Sequence, residues 1–212
     1  MKKSIILALA LAVPAMAGDG KNAPVTVVDV PAIVPAPAAP SAFGVEVGAV
    51  YTSALNDVVE GVDGINTWGV DVTGVYELTP NWAATMRVGW GTGSDDLGYG
   101  TELEVNTVNI MAGIRYTAPI TEQLSWYAGG EIGVGYVHYN LDMGEDGDDN
   151  FEDWGFAYGI EAGLQYDVTS TLYVYSALHY GGNFAEPEIV DGLYDTQCHS
   201  GWGVRMGLGG KF

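Results

Sequence analysis

The sequence predicts an all-β fold, an eight-stranded antiparallel up-and-down transmembrane β-barrel. From Phe43 onwards, apolar and polar residues alternate along segments that are separated by turn-forming or acidic residues. A period of two is typical of strands whose two faces meet different media. Trp and Tyr stand at the ends of the apolar rows and aliphatic residues in their middles, as in the aromatic girdles of membrane barrels. The apolar face is therefore expected to contact lipid.

The alternation predicts the eight strands in chain order. Their ranges are 43–53, 65–78, 82–91, 102–117, 124–139, 153–167, 171–181 and 197–212. Three connections are short, namely 79–81, 118–123 and 168–170. Four are long, namely 54–64, 92–101, 140–152 and 182–196. Because outer-membrane barrels combine short periplasmic turns with long external loops, both ends of the barrel chain are expected on the periplasmic side.

The residues before the first strand are predicted to lie outside the barrel. Residues 1–17 have the charged start, the apolar run and the small-residue cleavage pattern of a signal peptide. Residues 18–42 contain five prolines among Ala and Val, a composition typical of an extended linker. The barrel domain is therefore predicted over 43–212.

Aromatic residues at the strand ends are predicted to form two interfacial girdles. Trp82 and Trp90 are eight residues apart, which corresponds to about 20 Å in a tilted strand, close to the apolar band of about 25 Å in such barrels. The predicted girdle residues are Tyr51, Trp68, Trp82, Trp90, Tyr116, Trp126, Tyr136, Trp154 and Tyr166.

Two segments depart from a simple alternation. Leu103 and Val105 are apolar at positions of the opposite parity from the rest of their strand. A β-bulge near 106–107 or a strand that rises above the membrane would account for this change. In the seventh strand, two apolar sets compete, and the set of Leu172, Val174 and Leu178 is predicted to face outwards.

Charged residues at inward positions are predicted to form ion pairs inside the barrel. Beyond Lys21 the chain has only four Lys and Arg residues, and all four occupy polar positions of strands. The interior of an eight-stranded barrel is just wide enough to be filled by side chains, so these charges are expected to pair across it. The predicted network is Glu46, Asp71, Glu77, Arg87, Arg115, Glu131, Glu161, Arg205 and Lys211.

Heights counted along the strands divide this network into two levels. Arg87, Glu131, Glu161 and Arg205 are expected at mid-height as a central group. Arg115, Glu77 and Lys211 are expected nearer the periplasmic mouth, where partial hydration weakens pairing.

The last strand carries a resemblance to a known family. Trp202, Val204, Met206, Leu208 and Phe212 share one face and end in an aromatic residue. With eight amphipathic strands, aromatic girdles and short turns, residues 43–212 resemble the small outer-membrane barrels of the OmpA/OmpX type. The resemblance implies that these five residues form the assembly signal read by the barrel-assembly machinery.

Other chemistry is not favoured by the sequence. A net charge of −20 disfavours binding to nucleic acid. The segment His179-Tyr180-Gly181 is similar to the His-x-Ser of lipid A deacylase barrels, but Gly181 stands at the nucleophile position and cannot form an acyl-enzyme. Neither enzymatic activity nor a cofactor is therefore predicted.

An acidic segment in the third long connection is a weak candidate for a metal site. Carboxylates there could hold a divalent cation, but Phe151 stands where a calcium loop needs glycine. A solvated surface loop is the preferred interpretation. The candidate residues are Asp142, Glu145, Asp146, Asp148 and Asp149.

The expected function is that of an integral outer-membrane protein of a Gram-negative-type cell, with a charge-plugged lumen, acidic surface loops and a periplasmic linker. Its role is expected to be in envelope structure or surface interaction. The alternatives are a low-conductance porin-like channel for small solutes, a lipid-modifying enzyme and a soluble periplasmic β-protein. Expected partners are outer-membrane lipid, lipopolysaccharide and the assembly machinery, while the external ligand is not identified by the sequence.

Overall fold

Strands account for most of the chain that the computed structural model describes, which comprises residues 43–55, 65–98, 101–142, 148–185, 188–190, 193–194 and 199–212. The strands are β1 Phe43–Ala54, β2 Thr67–Glu77, β3 Trp82–Gly98, β4 Thr101–Pro119, β5 Leu124–Asp142, β6 Asp148–Asp167, β7 Leu172–Asn183, β8 Glu188–Val190, β9 Leu193–Tyr194 and β10 His199–Lys211. These ranges contain no helix of the length and apolarity that a membrane crossing requires. The predicted signal peptide and linker lie outside the described residues.

Eight of these strands close into a barrel. The order around it is β1-β10-β7-β6-β5-β4-β3-β2, and β8 and β9 form a separate two-stranded sheet. Every neighbouring pair is antiparallel, which confirms the predicted up-and-down barrel. The seam joins the first and last barrel strands from Gly44 opposite Lys211 to Ala54 opposite Gly201.

The three predicted short turns share one chemistry. In each, a threonine hydroxyl accepts a hydrogen bond from the backbone N–H three residues later. Thr79 accepts from Trp82 at 3.1 Å, and Thr121 accepts from Leu124 at 3.0 Å. Thr169 accepts from the N–H of residue 172 at 2.9 Å. Such hydroxyl contacts favour tight turns, and we call the end of the barrel where they lie the turn end and the opposite end the loop end.

Four adjacent strands, β3 to β6, extend further at the loop end than the others. The pairing of β3 with β4 continues to Gly98 opposite Thr101, and that of β5 with β6 continues to Asp142 opposite Asp148. By contrast, the pairing of β6 with β7 stops at Ala157. The rim of the barrel is therefore uneven.

This extension corrects two predicted connections. The segments 92–101 and 140–152 were expected as loops, but most of each is paired strand. Their Gly, Ser and Asp content weakens the strand signal, whereas the continued ladder satisfies their backbone groups. The prediction was wrong because it considered the strand propensity of each segment alone, without the backbone hydrogen bonds that the neighbouring strand provides.

The change of parity in β4 has a clear structural cause. The strand pairs without interruption through Asn106 and Thr107, so the prediction of a β-bulge at these residues is wrong. The register shift between β3 and β4 lies between Asp96 and Gly98. Leu103 and Val105 instead point into the barrel and are buried in an apolar cluster at the loop end.

Side chains separate cleanly between the two faces of the wall. In β7, Leu172, Val174 and Leu178 are exposed on the outside, while Tyr173 and Tyr175 are buried inside, which confirms the expected orientation. The predicted girdle residues lie on the outer face or at its edges. Several of their rings contact one another across strands in tilted or edge-to-face arrangements, in the pairs Tyr51–Trp68, Trp82–Tyr116, Tyr116–Trp126 and Tyr136–Trp154. Their role at lipid interfaces stays a prediction.

Candidate functional site

The strands place one layer of buried charges across the middle of the barrel. Seven of the eight barrel strands contribute one charged side chain each, and β7 contributes tyrosines. We call this set the lumen cluster, and its members are Glu46, Asp71, Arg87, Arg115, Glu131, Glu161 and Arg205. All are buried, and Arg205 has only 1% of its surface exposed.

Glycines at inward positions make room for the large side chains. A Cβ added at Gly48 or Gly207 would overlap the Tyr175 hydroxyl, and one added at Gly209 would overlap the Tyr173 ring. Because these glycines lie at the same parity as the charged residues, small and large side chains interlock along the interior.

Arg205 holds the densest set of contacts. Its Nε and Nη2 donate to the two oxygens of Asp71 at 2.7 and 2.6 Å, and Nη2 also donates to Thr73 Oγ1 at 2.7 Å. The guanidinium lies over the Tyr175 ring at 4.8 Å from its centroid. This forked pairing is the strong geometry for an arginine and a carboxylate.

Glu161 connects all three arginines of the lumen cluster. Its oxygens accept from Arg87 at 2.7 Å, from Arg115 at 3.0 Å and from Arg205 at 3.4 Å. Arg115 also donates twice to Glu46, at 2.5 and 3.0 Å. The carboxylate of Glu161 is therefore the common centre of the pairs.

Glu131, like Asp71, has one charged partner, whereas Glu46 has two and Glu161 has three. It pairs with Arg87 at 3.0 Å and accepts from the Thr85 hydroxyl at 3.1 Å. The lumen cluster has four carboxylates and three guanidiniums, so its formal balance is negative by one when every group is ionised.

The structure places the remaining predicted network residues elsewhere. Glu77 lies exposed at the turn end, outside the lumen cluster, and Lys211 pairs with Asp167 at 3.2 Å. Arg115 joins the central contacts rather than lying apart near the mouth, because its long side chain reaches from its strand position to Glu161.

Sequence reasoning did not identify several polar partners of the lumen cluster. Thr73 and Thr85 bond directly to charged members, and the Tyr173 hydroxyl donates to Glu46 at 2.9 Å. The alternation of the sequence predicts that these side chains point inwards, but it does not predict which group a hydroxyl at such a position bonds to. Asp167, the partner of Lys211, carried no signal beyond its place at the end of a strand.

Cavities lie on both sides of the lumen cluster. The loop-end cavity, of about 200 Å³, is bounded below by Asp71, Arg87 and Glu131 and above by apolar side chains that include Val137. The turn-end cavity, of about 190 Å³, reaches Arg115 from the other side. One layer of paired side chains therefore separates two spaces.

The acidic segment proposed from the sequence is described only in part. The strands include the backbones of Asp142, Asp148 and Asp149, whereas Glu145 and Asp146 lie outside the described residues. Within the described ranges, no three His, Cys, Asp or Glu side chains are grouped as metal ligands would be. A cation site in this segment stays a weak prediction.

The final strand presents the expected apolar row to the outside. Trp202, Val204, Met206 and Leu208 are exposed on the outer face, and Phe212 has 82% of its surface exposed. The backbone N–H of Phe212 donates to the Phe43 carbonyl at 2.8 Å, so the last residue is fixed at the seam. Its role as an assembly signal stays a prediction.

The histidine of the sequence's deacylase-like segment lies in the lumen beside a threonine. His179 Nε2 is 3.0 Å from Thr52 Oγ1, and Nδ1 has no hydrogen-bond partner among the described groups. Among the described residues, no carboxylate bonds to this ring.

Solved structures with the same fold come from several organisms. A major outer membrane protein from Thermus thermophilus matches with a TM-score of 0.59 at 15% identity, covering 82% of this chain and 100% of that one. Neisserial surface protein A matches at 0.54 and 13% identity, covering 84% and 100%. The outer membrane protein OprG from Pseudomonas aeruginosa matches at 0.51 and 16% identity, covering 81% and 96%. These likenesses show the fold.

Sequence comparison identifies the family. No curated protein matches the chain, but the family model described as the outer membrane protein beta-barrel domain matches residues 4–197. This range includes seven of the eight barrel strands in full or nearly so and agrees with the closed antiparallel wall. The chain therefore belongs to the family of outer-membrane protein β-barrel domains.

Proposed function

We propose that this protein is a non-enzymatic outer-membrane barrel whose lumen is closed at mid-height by the lumen cluster, and whose external role is carried by the acidic connections at the loop end. The observation that carries the proposal is the single layer of buried ion pairs between the two cavities. Each guanidinium in that layer contacts at least two carboxylates or a carboxylate and a hydroxyl. An ion that crossed the barrel would have to displace these pairs.

The energetics support a closed layer. Buried charges pay a large desolvation cost, which is offset only when pairing and hydrogen bonding are nearly complete. Contacts of 2.5 to 3.0 Å join Arg115 to Glu46 and Arg205 to Asp71. Opening the layer would therefore separate charges at several places at once.

A low-conductance channel is the second candidate, and the two cavities favour it. They approach the lumen cluster from opposite sides, with Arg115 lining the turn-end cavity and Arg205 lining the loop-end cavity. If these side chains exchange partners, water from both sides would meet. A transient current of small amplitude would be the result.

Electrical recording on planar lipid bilayers tests closure. We expect the full chain to give no steady ion current, and Arg205→Met to give measurable current because Asp71 loses its forked partner. Removing one partner of a buried pair should also lower the free energy of unfolding by about 3–5 kcal/mol.

The matched control is Lys211→Met, which removes one cation from a partly exposed pair. Its side chain is 33% exposed and that of Asp167 is 32% exposed, and pairs of this kind contribute about 0–1 kcal/mol. A steady current from the unaltered protein that is unchanged in Arg205→Met would contradict a closed lumen and would favour the channel.

The proposed partners follow from location and charge. Outer-membrane lipid would surround the exposed apolar face, and lipopolysaccharide would adjoin the loop end, where divalent cations could bridge its phosphates to carboxylates of the connections. The barrel-assembly machinery would read the terminal row that ends in Phe212, with the linker on the periplasmic side.

A further inference from the structure

We infer that the lumen cluster holds one exchangeable proton, and that this proton resides on Oε1 of Glu131. The inference goes beyond the function proposed above, because a closed lumen and a conducting lumen can each hold it. It rests on the hydrogen-bond partners of the carboxylate oxygens in the lumen cluster, on the charge balance of the cluster and on the position of Glu131 beside the loop-end cavity.

The charges of the lumen cluster do not cancel when every group is ionised. Its four carboxylates face three guanidiniums, and all seven side chains are buried. The remaining inward cation, Lys211, is paired with Asp167 at the turn end. An ionised carboxylate without a full set of partners is so costly to bury that such a group becomes neutral instead. One proton would leave three carboxylates opposite three guanidiniums.

Three carboxylates of the lumen cluster have guanidinium donors on both oxygens. Both oxygens of Glu46 accept hydrogen bonds from Arg115, and both oxygens of Asp71 accept from Arg205. Each oxygen of Glu161 also accepts from at least one guanidinium. A proton on any of these oxygens would displace an N–H donor and remove a charge-assisted hydrogen bond. The proton is therefore not expected on these three groups.

Oε1 of Glu131 differs from these oxygens. Glu131 pairs with Arg87 through Oε2, at 3.0 Å, whereas Oε1 accepts from the neutral hydroxyl of Thr85 at 3.1 Å. A hydroxyl can accept a hydrogen bond as well as donate one. Thr85 donates to the ionised oxygen and can accept from the same oxygen once it carries a proton. Glu131 therefore keeps its contacts with Arg87 and Thr85 in both states.

The surroundings of Glu131 suit a proton better than a metal ion. A Cβ added at Gly113, which is opposite Glu131 on β4, would lie 2.5 Å from Glu131 Cγ, so the backbone packs closely against the side chain. The guanidinium of Arg87 beside Oε2 would repel a second cation. A metal ion would also need several oxygen ligands, whereas a proton needs only Oε1 and its acceptor.

The strands around β5 bring several charged or titratable groups to this carboxyl group. The neighbouring inward positions on β5 itself, 129 and 133, are glycines. Arg87 of β3, Glu161 of β6 and Arg205 of β10 act on Glu131 electrostatically, and Asp71 of β2 and His179 of β7 line the same cavity. His179 is the one other group of this set that could take up a proton near neutral pH, so the test must distinguish an imidazole from a carboxyl group.

The loop-end cavity gives the proton a place to exchange. Glu131 lines this cavity and keeps 5% of its surface exposed, whereas Glu46 keeps none. Release of the proton into the cavity leaves a net negative charge at its floor, and uptake removes that charge. The lumen therefore presents to the loop end a charge that depends on pH.

Infrared spectroscopy of the full chain refolded in lipid vesicles tests the inference. At neutral pH we expect the carbonyl stretching band of a protonated carboxyl group, which an imidazole cannot produce. The band should shift in deuterated water, because the proton exchanges. We expect it to be lost in Glu131→Gln. The matched control is Glu104→Gln, the same change at an exposed position of β4, and it should leave the band unchanged.

The pH dependence of unfolding gives an independent measurement. Above about pH 5, where a glutamate in the unfolded chain is ionised, the native barrel would bind one proton more than the unfolded chain, so a rise in pH should weaken folding. Glu131→Gln lacks this contribution and keeps every other acid. We therefore expect the unfolding equilibrium constant of the unaltered protein to rise relative to that of Glu131→Gln by up to about tenfold for each pH unit.

A measurement on the unaltered protein keeps the test decisive if Glu131→Gln fails to fold. In carbon-13 NMR with glutamate labelled at Cδ, one carboxyl carbon should have the chemical shift of a protonated group at neutral pH and should lie close to the methyl group of Thr85. The absence of a protonated carboxyl group at neutral pH, or a band that persists in Glu131→Gln, would overturn the inference. Ion current reports on closure separately, so the two proposals can fail independently.

Discussion

At the scale of single residues, the stability of the barrel interior depends on how many partners each buried charge has. Glu161 contacts all three guanidiniums of the lumen cluster, whereas Glu131 contacts only Arg87 among them in the described structure. The two carboxylates are both buried, so the cost of their desolvation is similar, but Glu161 has more ion pairs than Glu131. The two residues should therefore differ in what they contribute to the free energy of unfolding.

Substitution by glutamine should reveal this difference. We expect Glu161→Gln to lower the free energy of unfolding by about 3–5 kcal/mol, because three guanidiniums lose their common partner. We expect Glu131→Gln to change it by less than about 1 kcal/mol or to raise it, since the variant removes the excess negative charge and keeps a polar partner for Thr85.

Urea unfolding in lipid vesicles, followed by tryptophan fluorescence, would measure both variants. The unaltered protein and both variants need the same lipid and the same final pH. An equal decrease in the free energy of unfolding in the two variants would mean that Glu131 contributes as much as Glu161. That result would contradict the charge balance given for the lumen cluster.

At the scale of elements, the glycines of β10 differ in the space around them, depending on whether they point into the barrel or outwards. A Cβ at Gly207, which points inwards, would overlap the Val47 carbonyl oxygen and the Tyr175 hydroxyl. A Cβ at Gly210, which points outwards, would meet the Phe212 ring at 3.5 Å, an ordinary contact. The two positions lie on the same strand and pair with the same neighbours, β1 and β7.

Alanine substitution therefore gives a matched pair of variants. We expect Gly207→Ala to destabilise the barrel by about 1–3 kcal/mol, the usual cost of overpacking, because the backbone oxygen of Val47 cannot move away as a side chain could. We expect Gly210→Ala to be neutral. Thermal unfolding monitored by circular dichroism would measure both, and a neutral Gly207→Ala would contradict the close approach of β1 and β10.

The sequence was sufficient for the number, order and direction of the eight barrel strands because alternation is a local property, but it did not predict the short strands β8 and β9, which lie in the connection 182–196. It also identified the outward face of β7 from Leu172 and Val174. It was insufficient for strand length at the loop end, since pairing there depends on a partner strand rather than on propensity. It misplaced Arg115 because strand position fixes the height of a Cα, whereas a guanidinium lies several bonds away and reaches Glu161.

At the scale of the whole molecule, a closed wall has no free strand edge, and this gives a simple test of the barrel in detergent. The hydrogen-bonded seam from Gly44 to Ala54 of β1 should resist sodium dodecyl sulfate at room temperature. We therefore expect the unboiled protein to migrate differently on a gel from the boiled protein. A sample kept in urea and never refolded is the control, and it should migrate like the boiled one.

Identical mobility before and after boiling, with recovery of the protein in a detergent-free extract, would contradict a membrane barrel. The apolar outer face, with residues such as Trp68 and Met86 more than half exposed, would then need another partner. This outcome would favour the soluble β-protein instead.

The seam also determines when the molecule can be completed. The first barrel strand bonds to the last one, and the final N–H of the chain, that of Phe212, bonds to the carbonyl of Phe43. The last barrel strand must therefore be synthesised before the barrel can close, and β1 has no β10 partner until then. Contacts between residues so far apart in sequence form slowly, and an unpaired strand edge invites aggregation in the meantime. A chain with this order of strands should depend on an escort that shields β1 between export and insertion.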